Sequence, residues 1–362
     1  MYIFIDTNIY FNNWYLNNPN FVLFFNYLEN SDSRLLISPL VVNEVENIYK
    51  REWVKQKDTF NKSLRQLTQL NPQFSAPEIS NESDYSFNSV LFRMRSFVTS
   101  IGYEKISHET LVKRAIEKIK PFQENEKGYR DSLIWLSFLA YLQNVRERIV
   151  GNVAFITNNK SDFGDANTGF LKELKDDIVN HEILHKIVLY NSLQEFIEEN
   201  IPKEEHLLSY SEIKDKYLYP LESKIESMSA ELINSMTPDQ LASKASNWHR
   251  NTMIHGYIHS QYFEIIEGTE DLEVLRIKEI DKDTIYVNCS LNFRKCALFF
   301  TIPSSYYVAN KNSLDQNYDE VNYENEETIL SIFPRVYLDI SITMFKSSGF
   351  IYRLEIDNLE FH

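Results

Sequence analysis

Eight glycines and two cysteines among 362 residues are the first constraint on this chain. So few glycines leave no Gly-rich phosphate loop, and neither G-x-G-x-x-G nor G-K-[ST] occurs, so nucleotide binding of those kinds has no support. Cys289 and Cys296 make at most one pair, which is not a disulfide framework and points to a reducing, cytoplasmic compartment. Apolar runs break well short of the roughly 18 residues that a membrane span needs. The N-terminus enters a strand directly, with no basic leader or cleavage site, so neither secretion nor a membrane partner is expected. Cations are also in deficit: 37 Lys and Arg face 52 Asp and Glu, a net charge of −15. That balance counts against a general nucleic-acid coating protein. The deficit is uneven. Residues 1–200 carry 22 basic and 26 acidic side chains, a difference of −4, and residues 201–362 carry 15 and 26, a difference of −11. The first region can hold basic patches for a phosphate backbone, while the second is expected to face water or a basic partner.

What is present is apolar and aromatic. The hydrophobic fraction is 43%, with 14% aromatics, enough for two packed cores, and the length favours two domains. Residues 2–6, 34–38, 153–157 and 186–190 read as strands. They alternate with helices over 18–28, from 39 onward, 88–101, 107–120, 129–146 and 191–199. Strands alternating with helices predict an α/β fold, a doubly wound parallel sheet flanked by helices, over residues 1–200. Ile201-Pro202-Lys203-Glu204-Glu205 reads as a linker. Residues 205–362 begin helical, over 207–247, and then alternate polar and apolar over 263–266, 275–280, 284–291, 297–302, 337–345 and 350–356. That pattern predicts a C-terminal α+β module with an antiparallel sheet. The loop 71–88 and the acidic stretch 315–327 are expected to be irregular and exposed.

Four acids stand where strands end or helices begin. Asp6 closes Tyr-Ile-Phe-Ile-Asp-Thr-Asn, and Glu44 lies just inside the helix that opens after Leu-Leu-Ile-Ser-Pro. Asp131 falls in the first turn of Gly-Tyr-Arg-Asp-Ser-Leu-Ile-Trp-Leu, and Asp162 follows the strand Val-Ala-Phe-Ile-Thr. Sites in open parallel sheets gather beyond the carboxyl ends of the strands. Carboxylates collected there repel one another unless a cation lies between them. Hard divalent ions such as Mg²⁺ take oxygen ligands and suit phosphodiester hydrolysis. Thr7, Asn8, Ser38 and Thr157 are placed to orient the acids by hydrogen bonds.

This arrangement resembles the PIN-domain nucleases, the family of the VapC-type toxin ribonucleases. The resemblance runs through Asp6-Thr7-Asn8, Glu44, Asp131 and Thr157-Asn158-Asn159 with Asp162-Phe163, and covers roughly residues 1–200. It implies a larger branch of that family, with a helical insertion between Glu44 and Asp131 and a C-terminal accessory domain. It also implies a metal-dependent ribonuclease in which Asp6, Glu44, Asp131 and Asp162 hold Mg²⁺ or Mn²⁺ and act on an RNA substrate. The family often has Asp where this chain has Asn159, so Asn159 and Asp162 are alternatives for the fourth position. A role as toxin or defence effector, a regulator or protein partner bound through the C-terminal domain, and a homo-oligomer all stay open. The rival readings are a DNA nuclease of the same fold and an inactive PIN-like binding scaffold.

Other motifs carry less. His181-Glu182-Ile183-Leu184-His185 is a literal H-E-x-x-H, which binds zinc only on a helix. The strand signal at 186–190 leaves little helix to hold it. His249, His255 and His259 fit no common zinc module. Basic residues with Trp53 and Phe60 over 50–65, and Lys113, Arg114, Lys118 and Lys120 further on, are either solvated faces or phosphate flanks. Arg130 and Lys160 are further phosphate candidates.

Overall fold

The computed structural model describes residues 1–71, 84–123, 127–145, 151–202, 210–244, 257–323 and 326–361. Two compact units emerge: Met1–Asn17 with Phe24–Ile201, and Asn18–Leu23 with Pro202–His362.

The first unit is a five-stranded parallel sheet flanked by helices. Its elements run β1 (Tyr2–Ile5), a 3-10 turn (Thr7–Tyr10), α1 (Pro19–Glu29), β2 (Arg34–Ile37), α2 (Pro39–Leu70), α3 (Phe87–Phe92), β3 (Val98–Ser100), α4 (His108–Glu117) and α5 (Tyr129–Val145). They continue with β4 (Val153–Ile156), a small hairpin of β5 (Gly164–Asp165) and β6 (Gly169–Phe170), α6 (Lys172–Asn180), β7 (Ile187–Tyr190) and α7 (Leu193–Asn200). The strand order is β3-β2-β1-β4-β7. Strands buried on both faces show no alternation, and β1 and β4 are apolar from end to end. Phe4 stacks on Phe155 at 5.0 Å between ring centroids, and Phe138 of α5 meets both rings. Trp135 adds its edge to Phe155 at 5.5 Å, which explains why α5 is apolar on nearly every side.

Several features of this unit were not expected, among them α6 and the β5–β6 hairpin. Strand β3 lies within the stretch read as one helix over 88–101. Only three residues pair with β2, too short a run for a periodicity to show. Asp177 of α6 is also buried, taking the Arg114 guanidinium at 2.7 Å and the Trp135 indole N–H at 2.9 Å. Arg114, read as a phosphate flank, is thus spent on the core. The basic part of α2 is solvated, with its buried positions confined to Val41, Val42 and Val45.

The second unit holds α8 (Tyr210–Ser235), α9 (Pro238–Lys244), β8 (Ser260–Glu279), β9 (Thr284–Pro303), α10 (Ser304–Asn317), β10 (Glu320–Tyr323), β11 (Glu327–Ile332), β12 (Val336–Phe345) and β13 (Ile351–Phe361). Its six-stranded antiparallel sheet has the order β10-β11-β9-β12-β13, with β8 pairing along β9. The strands read separately at 263–266 and 275–280 are one bulged strand, β8, and 284–291 and 297–302 are one strand, β9. The polar break in each reads like a turn, but its charges are paired: Arg294 of β9 meets Glu267 of β8 at 3.3 Å, and Arg335, just ahead of β12, meets Glu270 at 3.2 Å. The acidic stretch 315–327 is not a loop. It spans the end of α10, β10 and the start of β11, with Asp315, Asp319, Glu320, Glu326 and Glu327 exposed, and Glu324 lies outside the described residues. Residues 203–205 of the linker and most of the 71–88 loop lie outside the described residues. Among the described residues no helix is long and apolar enough to cross a membrane.

Removing one member of a buried ion pair strands the other, which costs about 3–5 kcal/mol. Asp177→Ala should therefore shift the urea unfolding of the first unit, followed by Trp fluorescence, by that amount. A change below about 1 kcal/mol, the range of exposed pairs, would contradict a structural role for this ion pair.

Candidate active site

Parallel strands bring their carboxyl ends to one edge, and Asp6 stands at that edge directly after β1. Its side chain caps the 3-10 turn, with Oδ1 accepting from the Thr7 N–H at 2.8 Å. Oδ2 accepts from the Thr157 hydroxyl at 2.8 Å and from Asn8 Nδ2 at 2.9 Å. Asn8 also binds the end of β4, donating to Thr157 Oγ1 at 3.1 Å and accepting from the Asn158 N–H at 3.2 Å. Only 4% of Asp6 is exposed. Ser38 caps α2 through the Leu40 N–H at 3.2 Å, with Pro39 as the first helical residue. It positions Glu44 through the helix rather than by touching an acid. Glu44 accepts the Thr7 hydroxyl at 2.9 Å on Oε2 and pairs with Arg130 through Oε1. The Arg130 side chain is 66% exposed.

Asp131 enters from the first turn of α5. Gly128 sets that turn with φ +98°, and its backbone runs so close to Pro121 that a Cβ would strike the Pro121 carbonyl. Burial pushes the Asp131 carboxyl up to about 6, with further upward contributions from Glu44 and Asp162 that Arg130 partly offsets. Asp6 is pushed up to about 7, first by burial and then by Asp131, against the hydrogen bonds from Thr157 and Thr7, with Glu44 adding a smaller push. Asp131 and Glu44 therefore bear on Asp6, and Glu44 and Asp162 on Asp131, as like charges.

Asp162 sits differently. Both its oxygens accept from Gln123 Nε2 at 2.8 Å, Lys120 Nζ lies 3.2 Å from Oδ1, and Asn159 Nδ2 lies 3.0 Å from Oδ2. A carboxylate offers about four lone-pair positions, and these contacts take them all. Asn159 also donates its N–H to Thr157 Oγ1 at 3.1 Å. Lys120, read as a solvated face or a phosphate flank, is drawn instead to Asp162, and two partners carried no signal in the sequence: Gln123 in an aperiodic stretch and Asn191 after β7. Asn191 Nδ2 reaches the Thr157 carbonyl at 3.1 Å, fixing the end of β4 from behind. Lys160 pairs with Asp165 at 2.7 Å.

The donor set is all oxygen, and the repulsion that raises Asp6 and Asp131 is what a divalent cation offsets, so the chemistry fits a hard ion. Among the described residues, however, no group of three His, Cys, Asp or Glu side chains is arranged to hold a metal. The H-E-x-x-H string cannot act as a zinc helix. α6 ends at Asn180, His181 is its C-cap, and Glu182 turns the chain with φ +52°. His259 faces Glu327 at 3.4 Å, and His249 and His255 lie outside the described residues.

The pKa shifts fix the pH dependence of stability. A carboxyl raised on folding is protonated in the folded state while ionised in the unfolded one, so stability is full below about pH 4 and falls as pH rises through about 7. In chelator, the thermal midpoint of the first unit should decline over that window, and Asp6→Asn should flatten the decline. An Asp6→Asn profile with the parental slope would show that Asp6 is not raised.

Residues 3–163 match a family model described as PIN domain, a span that contains Asp6, Glu44, Asp131 and Asp162. No curated protein and no solved structure matches the chain. The match and a parallel sheet with acids following its strands agree: residues 3–163 form a PIN domain.

Proposed function

We propose that the protein is a metal-dependent ribonuclease and that Asp6, Glu44 and Asp131 would hold Mg²⁺ or Mn²⁺. The observation that supports this most is that Asp6 and Asp131, at the sheet edge of a PIN domain, are both raised by burial and by nearby carboxylates, Glu44 among them, while Thr7 bonds to both Asp6 and Glu44. When bound, the ion would draw in the phosphate, supply an activated water and balance charge on the leaving oxygen. The rest falls to the chain itself. Thr7 ties Asp6 to Glu44, donating its N–H to one and its hydroxyl to the other. Asn8 and Thr157 fix the Asp6 carboxylate, and Asn191 fixes Thr157. Arg130 pairs with Glu44 and is exposed enough to meet a phosphate of the substrate. Asp162, with its oxygens occupied, holds Asn159 and the loop after β4 rather than leading the ligand set.

RNA is preferred over DNA because the resembled family mostly cuts RNA. A toxin or defence role in the cytoplasm, and a regulatory or partner-binding role for the second unit, belong to the same reading. An inactive binding scaffold is the second reading, favoured by the absence of a formed metal-holding triad among the described residues.

Purified protein incubated with labelled single-stranded RNA or DNA, in Mg²⁺, Mn²⁺ or chelator, tests all of these. RNA should be cut only with a divalent ion, and Asp131→Asn should slow cutting by more than about 100-fold, beyond the loss expected for an outer hydrogen-bonding partner. Cleavage of DNA alone would move the assignment to a DNA nuclease. RNA binding without cleavage would favour the scaffold. An Asp131→Asn rate equal to wild type would remove this site.

A further inference from the structure

The helix that carries Glu44 also borders a groove that the cleavage chemistry does not use. It occupies about 290 Å³ between the start of α2, α3 and β3. Ile37 and Ser100, the last residues of β2 and β3, lie along it, so it opens at the edge where Asp6 follows β1. Asn43, on its rim, is the residue before Glu44 in α2. Groove and acid set therefore share one turn of one helix.

The lining is specific in kind. Val42, Leu91 and Val98 make an apolar floor, and among the described residues no acid lines the groove in a chain of net charge −15. The amides of Asn43 and Asn88 stand on the rim, and among the described residues neither has a hydrogen-bond partner. At the mouth Phe92 is 62% exposed, an unusual position for a phenyl ring, with the Arg95 guanidinium 4.3 Å over its centroid. An exposed ring beside a guanidinium is a stacking platform for a nucleobase, and a guanidinium also pairs with phosphate. Free amides supply both donor and acceptor to a base edge. The volume sits at the lower end of small-molecule sites, which begin near 300 Å³, and suits one planar heterocycle.

We propose that this groove seats one unpaired base of a single-stranded RNA, stacked at Phe92 and Arg95 and read by Asn43 and Asn88. The strand then runs from the groove along the start of α2 to the carboxylates. This assignment rests on the ribonuclease reading and narrows it: the substrate is unpaired beside the cleaved bond, because a base inside a duplex would first have to be unpaired and unstacked to enter the groove.

The test is binding of fluorescein-labelled RNA to the full chain carrying Asp131→Asn, with and without Phe92→Ala. One stacked base lost should weaken binding of unpaired RNA by about 5- to 100-fold. Binding of the corresponding duplex should stay unchanged, and Phe92→Trp should restore the affinity. Asn88→Ala in the same background should narrow the differences among oligo-A, oligo-C, oligo-G and oligo-U. Circular dichroism confirms that each variant folds, and a variant that fails this check is replaced by Phe92→Ser. Equal binding with and without Phe92, or an equal loss for duplex and single strand, overturns the groove assignment while leaving the ribonuclease reading intact. If the parent binds no RNA and wild type cuts none, both readings fall together.

Discussion

A carboxylate buried at the end of an apolar strand has to be satisfied, and in this protein everything around the site follows from how Asp6 is satisfied. The Thr7 N–H, the Thr157 hydroxyl and the Asn8 amide converge on it. Those bonds also join the ends of β1 and β4, and the Thr7 hydroxyl carries the linkage on to Glu44 in α2. Hydrogen bonds from three donors favour the ionised form, yet burial and the nearby acids win, and Asp6 stays near neutrality in its titration. The sheet thus holds a group under electrostatic stress at the place where a parallel fold collects its ligands.

The placement of that stress was legible in sequence because it follows from strand and helix boundaries. Asp6, Glu44 and Asp131 stand out as acids next to apolar runs, and the apolar runs define β1, β2, β4 and α5. Thr7, Asn8 and Thr157 were legible for the same reason, as polar residues one or two positions past a strand. Ser38 was placed correctly at the helix start, but it works through the cap of α2 and not on a carboxylate. What the sequence hid was which side chains these acids take as partners. Lys120 and Gln123 fill the acceptor positions of Asp162 from some forty residues away, and Arg130 turns from α5 to Glu44. No periodicity marks such side chains, since their neighbours are set by loop paths and not by the pleat or the helical turn.

The second unit shows the same division. Alternation correctly announced an antiparallel sheet, and it failed at the strand lengths. Charged stretches in β8 and β9 look like turns when read alone, but across a ladder their opposite charges face one another and the strands run through. Asp315, Asp319, Glu320 and Glu327, taken for a loop, are carried by the end of α10, the short connection after it, the edge strand β10 and its neighbour β11, and on the edge strand exposed charge discourages pairing with another chain.

The central claim is that Asp6, Glu44 and Asp131 form one cation-binding unit whose protons an ion must displace. Calorimetry of Mn²⁺ binding to the full chain, repeated in buffers of different ionisation enthalpy, measures that displacement directly. With Asp6 near 7 and Asp131 near 6, about one proton should be released per ion at pH 6.5, falling toward none by pH 9. Binding without proton release, or no binding at all, would contradict the account.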